Sequence, residues 1–481
     1  MQIVKNRILF FRVACCSLAL GTLPLGGCDY LKARSARAEY IAYQQALAAG
    51  NLVQARRALT RLTRTEQDVP EYWLELGKLQ LQMGDTRRAY NSLARAHELD
   101  RTNVPVLGTM TQLALLSGDL DLANEQAKAL AMLSPDHPAV ILVRGHTELQ
   151  SGNLDKADAD ADSLLAGAPN DSFAKVLKAR IFVAREKTDD AITLLERQHA
   201  VAPEDPGAVR ALAAIYQSRD DWRNLARVQF AAHRLQPRDR EITESAIVAA
   251  LRVGNVAAAR QLSAPYLAPN ARLPLLEANL DSWATYAPRG IVLPDAIQLA
   301  RAAPGEARAS YANYFNSIGK PNVAAALLGG SRLPVTHENA RSNAIYAQSL
   351  ALQGNTAEAK RLFDLVLDRE PDQAEALRGR STLEAQSGQS KQAIIDAQRL
   401  VTVSSGKAQD RLILAQAYQA ANNRREVLRT LWDAFQDLPG DERIYSALRS
   451  ALASTGDVEG ARRLNEEFAD RKKAKLTKDL S

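Results

Sequence analysis

The chain has 481 residues, of which 46% are hydrophobic, 24% are charged and 5% are aromatic. This balance, with modest glycine and proline, indicates a folded, helix-rich protein and disfavours collagen-like, low-complexity and polytopic membrane proteins. The formal net charge of +6 is spread along the chain, so it gives no support for nucleic-acid binding. Three cysteines are too few for a disulfide scaffold.

The first element of the chain is typical of a secretion signal. Three basic residues precede a mostly apolar stretch over 13–25, which is too short to span a bilayer. The sequence Leu25-Gly26-Gly27-Cys28 that follows resembles the lipobox of bacterial lipoproteins. The resemblance implies that residues 1–27 are removed and that the sulfur of Cys28 carries a lipid.

The lipid, rather than charge, is expected to hold the mature protein at the membrane. Removal of residues 1–27 leaves 58 basic and 55 acidic side chains, an excess too small for electrostatic attachment. Two or three acyl chains would make attachment effectively permanent. Asp29 resembles the signal that retains Gram-negative lipoproteins in the inner membrane, on its periplasmic side, and the outer membrane stays open as the alternative. Residues 28–35 are expected to form a short linker.

Beyond this linker the sequence repeats every 34 residues. Each repeat contains a turn mark, a small or turn-forming residue followed by a polar one: Gly50-Asn51, Gly84-Asp85, Gly118-Asp119, Gly152-Asn153, Gly254-Asn255, Gly354-Asn355, Gly388-Gln389, Asn422-Asn423 and Gly456-Asp457. In the same register, Glu186 and Asp220 replace the glycine. An alanine follows most marks by five residues. The pattern predicts two amphipathic helices per repeat, joined at the mark through a positive φ angle.

The repeat resembles a known family. Its signature is most complete between Glu71 and Asp100, in Trp73, Leu76-Gly77, Gly84-Asp85, Ala89 and Ala96, which have the spacings of the tetratricopeptide repeat. The resemblance implies an all-α, right-handed superhelical solenoid. About thirteen repeats account for residues 36–475, so no stretch is left for a separate catalytic domain.

Prolines and missing marks divide the predicted solenoid. Six prolines lie within residues 265–304, where one repeat is expected to be distorted: its second helix begins at Asp295 and stops at Pro304-Gly305, and Gly329-Gly330 shortens the next one. The distorted region is expected to be either a hinge or partner-facing loop with Trp283 and Tyr286 as exposed anchors, or a decayed repeat with buried aromatics. The predicted boundaries are 36–273 for the N-terminal array, 274–339 for the distorted repeats, 340–470 for the C-terminal array with its capping helix, and 471–481 for a basic tail. The tail is expected to be solvated and frayed, with contact to acidic lipid as the alternative.

The first helices of such repeats line a groove in this family, and the position six residues before each mark most often faces it. The residues at these positions are polar: Gln44, Lys78, Gln112, His146, Arg180, Asn313, Gln348, Thr382, Gln416 and Ser450. Amide side chains both donate and accept hydrogen bonds, so they could pair with the backbone of an extended peptide. The alternative is that any exposed helical position tends to be polar.

Searches for catalytic and metal-binding patterns favour a protein without enzymatic activity. No two of the six histidines lie within one helical turn, so zinc-type spacings are absent and no metal or cofactor is expected. Ser172 and Lys175 match the serine-lysine pattern of penicillin-binding proteins, but a convincing Lys-Thr-Gly partner is lacking.

The resemblance also implies a process. Lipoproteins with long tetratricopeptide arrays are similar to helper subunits of envelope machines, above all those of exopolysaccharide synthesis and export, including exosortase-linked systems. We therefore expect a scaffold that binds envelope proteins and no nucleic acid. The alternatives are an assembly helper for pili or outer-membrane proteins and a direct polysaccharide-binding protein, which the sparse aromatic residues disfavour.

Overall fold

The computed structural model describes residues 26–479, except 84, 204, 269–270 and 439. The side chains of 26–33, 235 and 477–479 are outside this description, and so are residues 1–25. The predicted cleavage at 1–27 and the lipidation of Cys28 therefore fall outside the described residues. None of the helices in the described ranges has the length and apolar run needed to cross a membrane.

Every regular element in the described part of the chain is an α-helix, which confirms the predicted fold class. The helices are α1 (Gly26–Ala48), α2 (Leu52–Thr65), α3 (Pro70–Gln82), α4 (Thr86–Leu99), α5 (Val104–Leu116), α6 (Leu120–Leu133), α7 (Pro138–Gln150), α8 (Leu154–Gly167), α9 (Ser172–Ala184), α10 (Thr188–Val201), α11 (Pro206–Ser218), α12 (Trp222–Leu235), α13 (Arg240–Arg252), α14 (Val256–Ser263), α15 (Leu273–Tyr286), α16 (Ala296–Ala302), α17 (Gly305–Ser317), α18 (Pro321–Leu328), α19 (His337–Leu352), α20 (Thr356–Arg369), α21 (Ala374–Gln386), α22 (Ser390–Val403), α23 (Ala408–Ala420), α24 (Arg424–Asp437), α25 (Glu442–Thr455) and α26 (Val458–Asp479).

These helices form antiparallel pairs, and each pair is one repeat. The described part of the chain divides into two compact units, unit 1 up to residue 140 and unit 2 from residue 141. In unit 1, α1 packs on α2, α3 on α4 and α5 on α6. In unit 2, first helices also contact the next first helix, as α19 does with α21 and α21 with α23. Neighbouring pairs thus cover the apolar faces that a single pair leaves exposed.

The turn marks adopt the predicted backbone conformation. Gly50, Gly118, Gly152 and the other described marks with glycine have φ angles between 68° and 89°. Glu186 and Asp220 adopt φ angles of 63° and 56° in the same register. A residue with a side chain is strained in this region, so the turn geometry of the repeat overrides the local preference of these two acids.

The alanine that follows most marks by five residues is buried between packed helices. It is fully buried, at 0% exposure, in nine repeats: Ala55, Ala89, Ala123, Ala157, Ala191, Ala259, Ala324, Ala359 and Ala393. Glycine serves the same purpose where an aromatic ring approaches, because a Cβ atom on Gly379 would lie 2.2 Å from Cζ of Phe363. The regular spacing of these small residues thus allows close helix packing.

The distorted region is longer than the sequence predicts. Three successive second helices are short, with eight residues in α14, seven in α16 and eight in α18, where most others have fourteen. The sequence predicts the short α16 and α18, whereas the short α14 lies before the predicted boundary at 274. Pro265 follows α14 directly and cannot continue it, since proline lacks the backbone N–H and clashes with the preceding turn.

The N-terminal helix also differs from the prediction. Residues 28–35, which were expected to form a linker, belong to α1. The segment contains no proline, and after Gly27 it contains no glycine before Gly50, so nothing interrupts the helical backbone before the first turn mark. The first repeat therefore begins inside the segment that we assigned to the linker.

The C-terminal helix folds back onto unit 2. Helix α26 continues to Asp479 and packs against α11 and α9. Leu476 is only 9% exposed and belongs to an apolar cluster with Ala179, Val183 and Leu212. The prediction of a frayed, solvated tail is therefore wrong for residues 471–476, because an apolar residue near the end of the helix finds a buried contact.

Two ion pairs accompany this contact. Nζ of Lys472 lies 3.2 Å from Oδ2 of Asp220, and Nζ of Lys473 lies 3.0 Å from Oε1 of Glu186. The two acids that replace glycine at the turn marks are thus the partners of the C-terminal lysines. This contact gives a physical reason why these two positions depart from the pattern of the repeat.

Candidate protein-binding surfaces

The predicted groove positions differ in how much of each side chain solvent can reach. The exposed positions are Gln44, Lys78, Gln416 and Ser450. The half-buried positions are Gln112, Arg180, Asn313, Gln348 and Thr382, and His146 is buried. All of them lie on first helices. The prediction that His146 lines an open groove is wrong, because only 5% of this residue is exposed.

His146 and Arg180 occupy equivalent positions in successive repeats and contact each other directly. Nη1 of Arg180 donates to Nδ1 of His146. Burial lowers the pKa of His146 well below its usual 6.5, and the Arg180 charge acts in the same direction. Burial also lowers the pKa of Arg180 to about 10. The pair therefore has a neutral imidazole as the acceptor for a guanidinium.

Trp283 is not an exposed anchor. It is fully buried, and its Nε1 donates to Oγ of Ser263 over 3.0 Å. Tyr286 is half-buried beside Arg252, whose guanidinium carbon lies 4.6 Å from the centre of the tyrosine ring. The structure therefore corrects the exposed-anchor interpretation of Trp283 and places this ring in the core, as the alternative interpretation held.

The serine-lysine pattern of helix α9 is held in structural contacts. Oγ of Ser172 donates to Oδ2 of Asp205, and Nζ of Lys175 donates to Oε1 of Gln198 over 2.7 Å. Gln198 in turn donates to Asp205 over 2.9 Å. The hydroxyl thus caps a turn at the next repeat. Among the described residues, no group of three His, Cys, Asp or Glu side chains is placed to hold a metal ion.

A four-way ion network joins the first helices of unit 2. Arg341 on α19 contacts Oε1 of Glu277 at 2.6 Å, Oε2 of Glu306 at 3.1 Å and Oε1 of Glu375 at 2.7 Å. These acids lie on α15, α17 and α21, so one guanidinium connects the distorted repeats to the regular ones. The three carboxylates raise the pKa of Arg341, although burial opposes them.

Sequence reasoning missed a basic recess in unit 1, which we name the arginine groove. Helices α2, α3 and α4 line it, around a cavity of about 670 Å³. Its lining residues are Arg56, Arg57, Thr60, Arg61, Thr63, Arg64, Trp73, Leu76, Gln80, Arg88, Asn91 and Ser92. The signal was present in the sequence, because α2 contains four arginines and no acidic residue.

Comparison with known proteins supports the class of the repeat. Residues 146–266 match the family model described as the Psidin N-terminal TPR repeats region. No curated protein matches the chain. Over this stretch the chain is similar to tetratricopeptide repeats, and the described residues on both sides of it also fold as successive helices.

Several solved structures of low similarity share helical segments with the chain. The hetero-tetramer Cut9-Hcn1 of the APC/C is 11% identical, with 94% of this chain and 98% of that chain covered and a TM-score of 0.30. The type IV pilus biogenesis factor PilW is 18% identical, covering 41% and 91%, with a TM-score of 0.29. MamA from Desulfovibrio magneticus RS-1 is 16% identical, covering 36% and 97%, with a TM-score of 0.28. These low scores carry no functional argument.

Proposed function

We propose that this protein is a non-enzymatic scaffold, anchored by lipid at Cys28 to the periplasmic side of a bacterial membrane, that binds proteins of an envelope assembly or export machine. Exopolysaccharide synthesis and export is the machine that we favour. The inner membrane is the favoured location, because Asp29 follows the acylated residue. The process is suggested by the resemblance of the whole sequence to lipoproteins with long repeat arrays.

One observation carries the proposal of a scaffold. The helix pairs account for the described residues from 26 to 479, and the polar positions of the first helices remain at least partly accessible in most repeats. Gln348 on α19 and Gln416 on α23 are such positions in unit 2. Their amide groups can pair with the backbone of an extended segment of a partner without a demand for one sequence.

The partner surface is tested by affinity capture from detergent-solubilised membranes. In the double variant Gln348→Arg/Gln416→Arg, two long charged side chains replace accessible amides on first helices. We expect the recovery of partners to fall at least about tenfold, because desolvation of unpaired charges opposes binding. Quantitative mass spectrometry of the captured proteins measures the effect.

The matched control places the same substitutions on second helices. Gln54 and Gln261 are exposed on α2 and α14, so Gln54→Arg/Gln261→Arg makes the same change of charge elsewhere. This control should retain the partners. An identical set of partners in both double variants would contradict binding through the first helices.

The anchor requires a separate experiment. Radiolabelled palmitate should label the wild type, and the Cys28→Ser variant should lose the label and leave the membrane fraction. The physical reason is that acyl chains contribute about 0.8 kcal/mol per buried methylene, whereas the small net charge contributes little. Retention of the Cys28→Ser variant in membranes washed at high salt would contradict the proposed anchor.

A further inference from the structure

The arginine groove carries more positive charge than its own acids neutralise. Two of its five guanidiniums have acidic partners: Nε of Arg61 lies 2.7 Å from Oε1 of Glu39, and Nη1 of Arg88 lies 3.1 Å from Oδ2 of Asp85. The other three arginines form no ion pair with any residue that the structure describes. The groove therefore holds more cations than the protein compensates by itself.

The uncompensated arginines share one helix. Arg56, Arg57 and Arg64 all belong to α2, which has no acid in its first turn or elsewhere. Arg57 and Arg61 are four residues apart and Arg61 and Arg64 three apart, the spacings at which like charges on a helix repel each other. A bound anion would relieve this repulsion, and guanidiniums are suited to bind carboxylates through paired hydrogen bonds.

The shape of the groove suits a chain segment rather than a single small ion. Its cavity of about 670 Å³ is of the size that accommodates ligands of several groups. Part of the lining is pre-formed, because Oγ of the buried Ser92 donates to Oε1 of the buried Gln80 over 2.8 Å. Another part is aromatic: Nε1 of Trp73 donates to the carbonyl oxygen of Gln67 over 2.9 Å, which fixes the indole ring.

The row of arginines on α2 belongs to one repeat and does not recur in the next. In the next repeat, 34 residues later, the positions of Arg56, Arg57 and Arg64 are occupied by Tyr90, Asn91 and Glu98. A repeat array needs no such arginines to fold, because the second helix of the next repeat forms without them. The basic row therefore calls for an explanation other than helix packing.

We propose that the arginine groove binds an acidic segment of a protein partner. Carboxylates of the segment pair with Arg56, Arg57 and Arg64, and an apolar side chain among them packs against Trp73 and the buried Leu76. The proposal rests on the proposed scaffold function and names the chemistry of one partner segment. It assigns this segment to a surface of α2, α3 and α4 that does not include the predicted groove positions Gln44, Lys78 and Gln112.

The binding is measured directly with the full chain, purified in detergent. The probe is a fluorescein-labelled peptide with one leucine flanked on both sides by glutamates, and its matched control peptide has glutamine in place of glutamate. At about 0.15 M salt, where weak surface attraction is screened, fluorescence anisotropy should show binding of the glutamate peptide alone. The Arg57→Glu/Arg64→Glu variant should bind it at least about tenfold more weakly.

Two controls locate the effect. Arg223→Glu/Arg234→Glu makes the same change of charge at exposed positions on α12 and should bind the peptide as the wild type does. Trp73→Phe should still bind the peptide but should lose the change of tryptophan fluorescence that binding causes in the wild type. Equal loss of binding in both double variants would overturn the proposal, since net charge rather than the groove would then be responsible.

Anionic lipid is the competing ligand and has its own arm of the experiment. Vesicles that contain phosphatidylglycerol should not bind through Arg57 and Arg64. Vesicle binding that the Arg57→Glu/Arg64→Glu variant abolishes, without peptide binding by the wild type, would overturn the assignment to a protein segment. Because the peptide test needs no natural partner, its outcome is independent of the capture experiment that tests the scaffold function.

Discussion

Two stretches of unit 2 pack in different ways. In the regular repeats from α19 to α25, second helices of fourteen residues lie close to their neighbours through alanine and glycine contacts such as Gly379 against Phe363. In the proline-rich stretch from α14 to α18, the second helices have seven or eight residues. Large aromatic side chains, among them Trp283, Tyr311 and Phe315, are fully or almost fully buried there.

The comparison shows that large buried side chains can fill the core of a repeat whose second helix is short. Where the helices are short, backbone N–H and C=O groups of the loops lack partners within a helix. They must form hydrogen bonds with side chains instead. The hydroxyl of Tyr314 accepts from the backbone N–H of Leu293 over 2.8 Å, and Nη2 of Arg308 donates to the carbonyl oxygen of Ala303 over 3.1 Å. The distorted stretch is thus a packed core with its own polar contacts.

The largest effect is expected from Trp283→Ala. It removes a fully buried ring and one of the two donors to Oγ of Ser263, so we expect a loss of about 3–5 kcal/mol. Hydrogen exchange of amides in α15 and α17 measures this loss locally, which suits an array that need not unfold in one step. Trp432→Ala in the regular stretch, where the ring is half-buried, serves as control and should cost less. Equal costs would contradict the role assigned to the aromatic core.

Arg341→Met tests whether the two stretches are held together at their junction. The variant leaves Glu277, Glu306 and Glu375 close together without their shared cation, and we expect a loss of about 2–4 kcal/mol at this partly exposed site. Hydrogen exchange should increase in α15, α17 and α21 together. Arg361→Met removes an exposed pair with Glu358 on α20 and should have almost no effect. If exchange increased only in α19, the network would not couple the two stretches.

Gly379→Ala tests the close packing of the regular stretch. The added Cβ would lie within 2.2 Å of the Phe363 ring, so overpacking should cost about 1–3 kcal/mol. Phe363→Leu in the same background should recover part of the loss by making room. Gly167→Ala on α8 meets no atom within 4 Å and should be neutral or stabilising by up to about 1 kcal/mol. Chemical denaturation monitored by circular dichroism compares the variants.

Acid should destabilise the repeats around α7 and α9 before it affects the proline-rich stretch. The lowered pKa of His146 keeps this residue neutral in the native state, whereas the unfolded chain takes up a proton below about pH 6.5. The stabilisation from neutral His146 is therefore complete above that pH and is lost as the pH falls, by up to about 1.4 kcal/mol per pH unit. No histidine lies between His233 and His337.

Hydrogen exchange at neutral and acidic pH, corrected for intrinsic rates, checks this expectation. Protection of α7 and α9 should fall with pH more than protection of α15 and α17. The His146→Gln variant, which keeps an acceptor for Arg180 but cannot titrate in this range, should remove the difference. An unchanged pH dependence in this variant would show that another group is responsible.

The smallest effect is expected from the ion pairs of the C-terminal helix. Lys473→Ala removes an exposed pair with Glu186 and should cost less than about 1 kcal/mol. Leu476→Ala should cost more, because it removes a buried contact with α9 and α11. Lys475→Ala, at an exposed position, is the control. Amide protection in α9 and α11 measures the effect of all three substitutions. Equal effects would contradict the apolar contact as the main attachment of α26.

The sequence predicted the local architecture well. The period of 34 residues, the positive φ angles at the turn marks and the buried alanines follow from short-range backbone and packing rules, and the structure agrees with each of them. The sequence also indicated that α16 begins after Asp295 and that Gly329 ends α18. These features depend on residues within one or two turns of helix, so a single sequence contains the necessary information.

The sequence did not predict contacts between residues far apart in the chain. The contact of Lys472 with Asp220 joins residues separated by 252 positions, and the Arg341 network joins four helices. Periodicity predicts which face of a helix is apolar but does not predict what covers it. The same limit explains why Trp283 could be interpreted either as an exposed anchor or as a core residue.

What the sequence determined by itself is the repeating helix pair, because turn geometry and the spacing of small residues are local. What the tertiary structure decided is which of the polar and aromatic residues remain available to a partner. It buried His146 and Trp283, used two unusual turn acids to hold the C-terminal helix, and brought five arginines of unit 1 around one recess. Burial and charge pairing depend on the packing of whole helices, and a linear pattern does not contain this information.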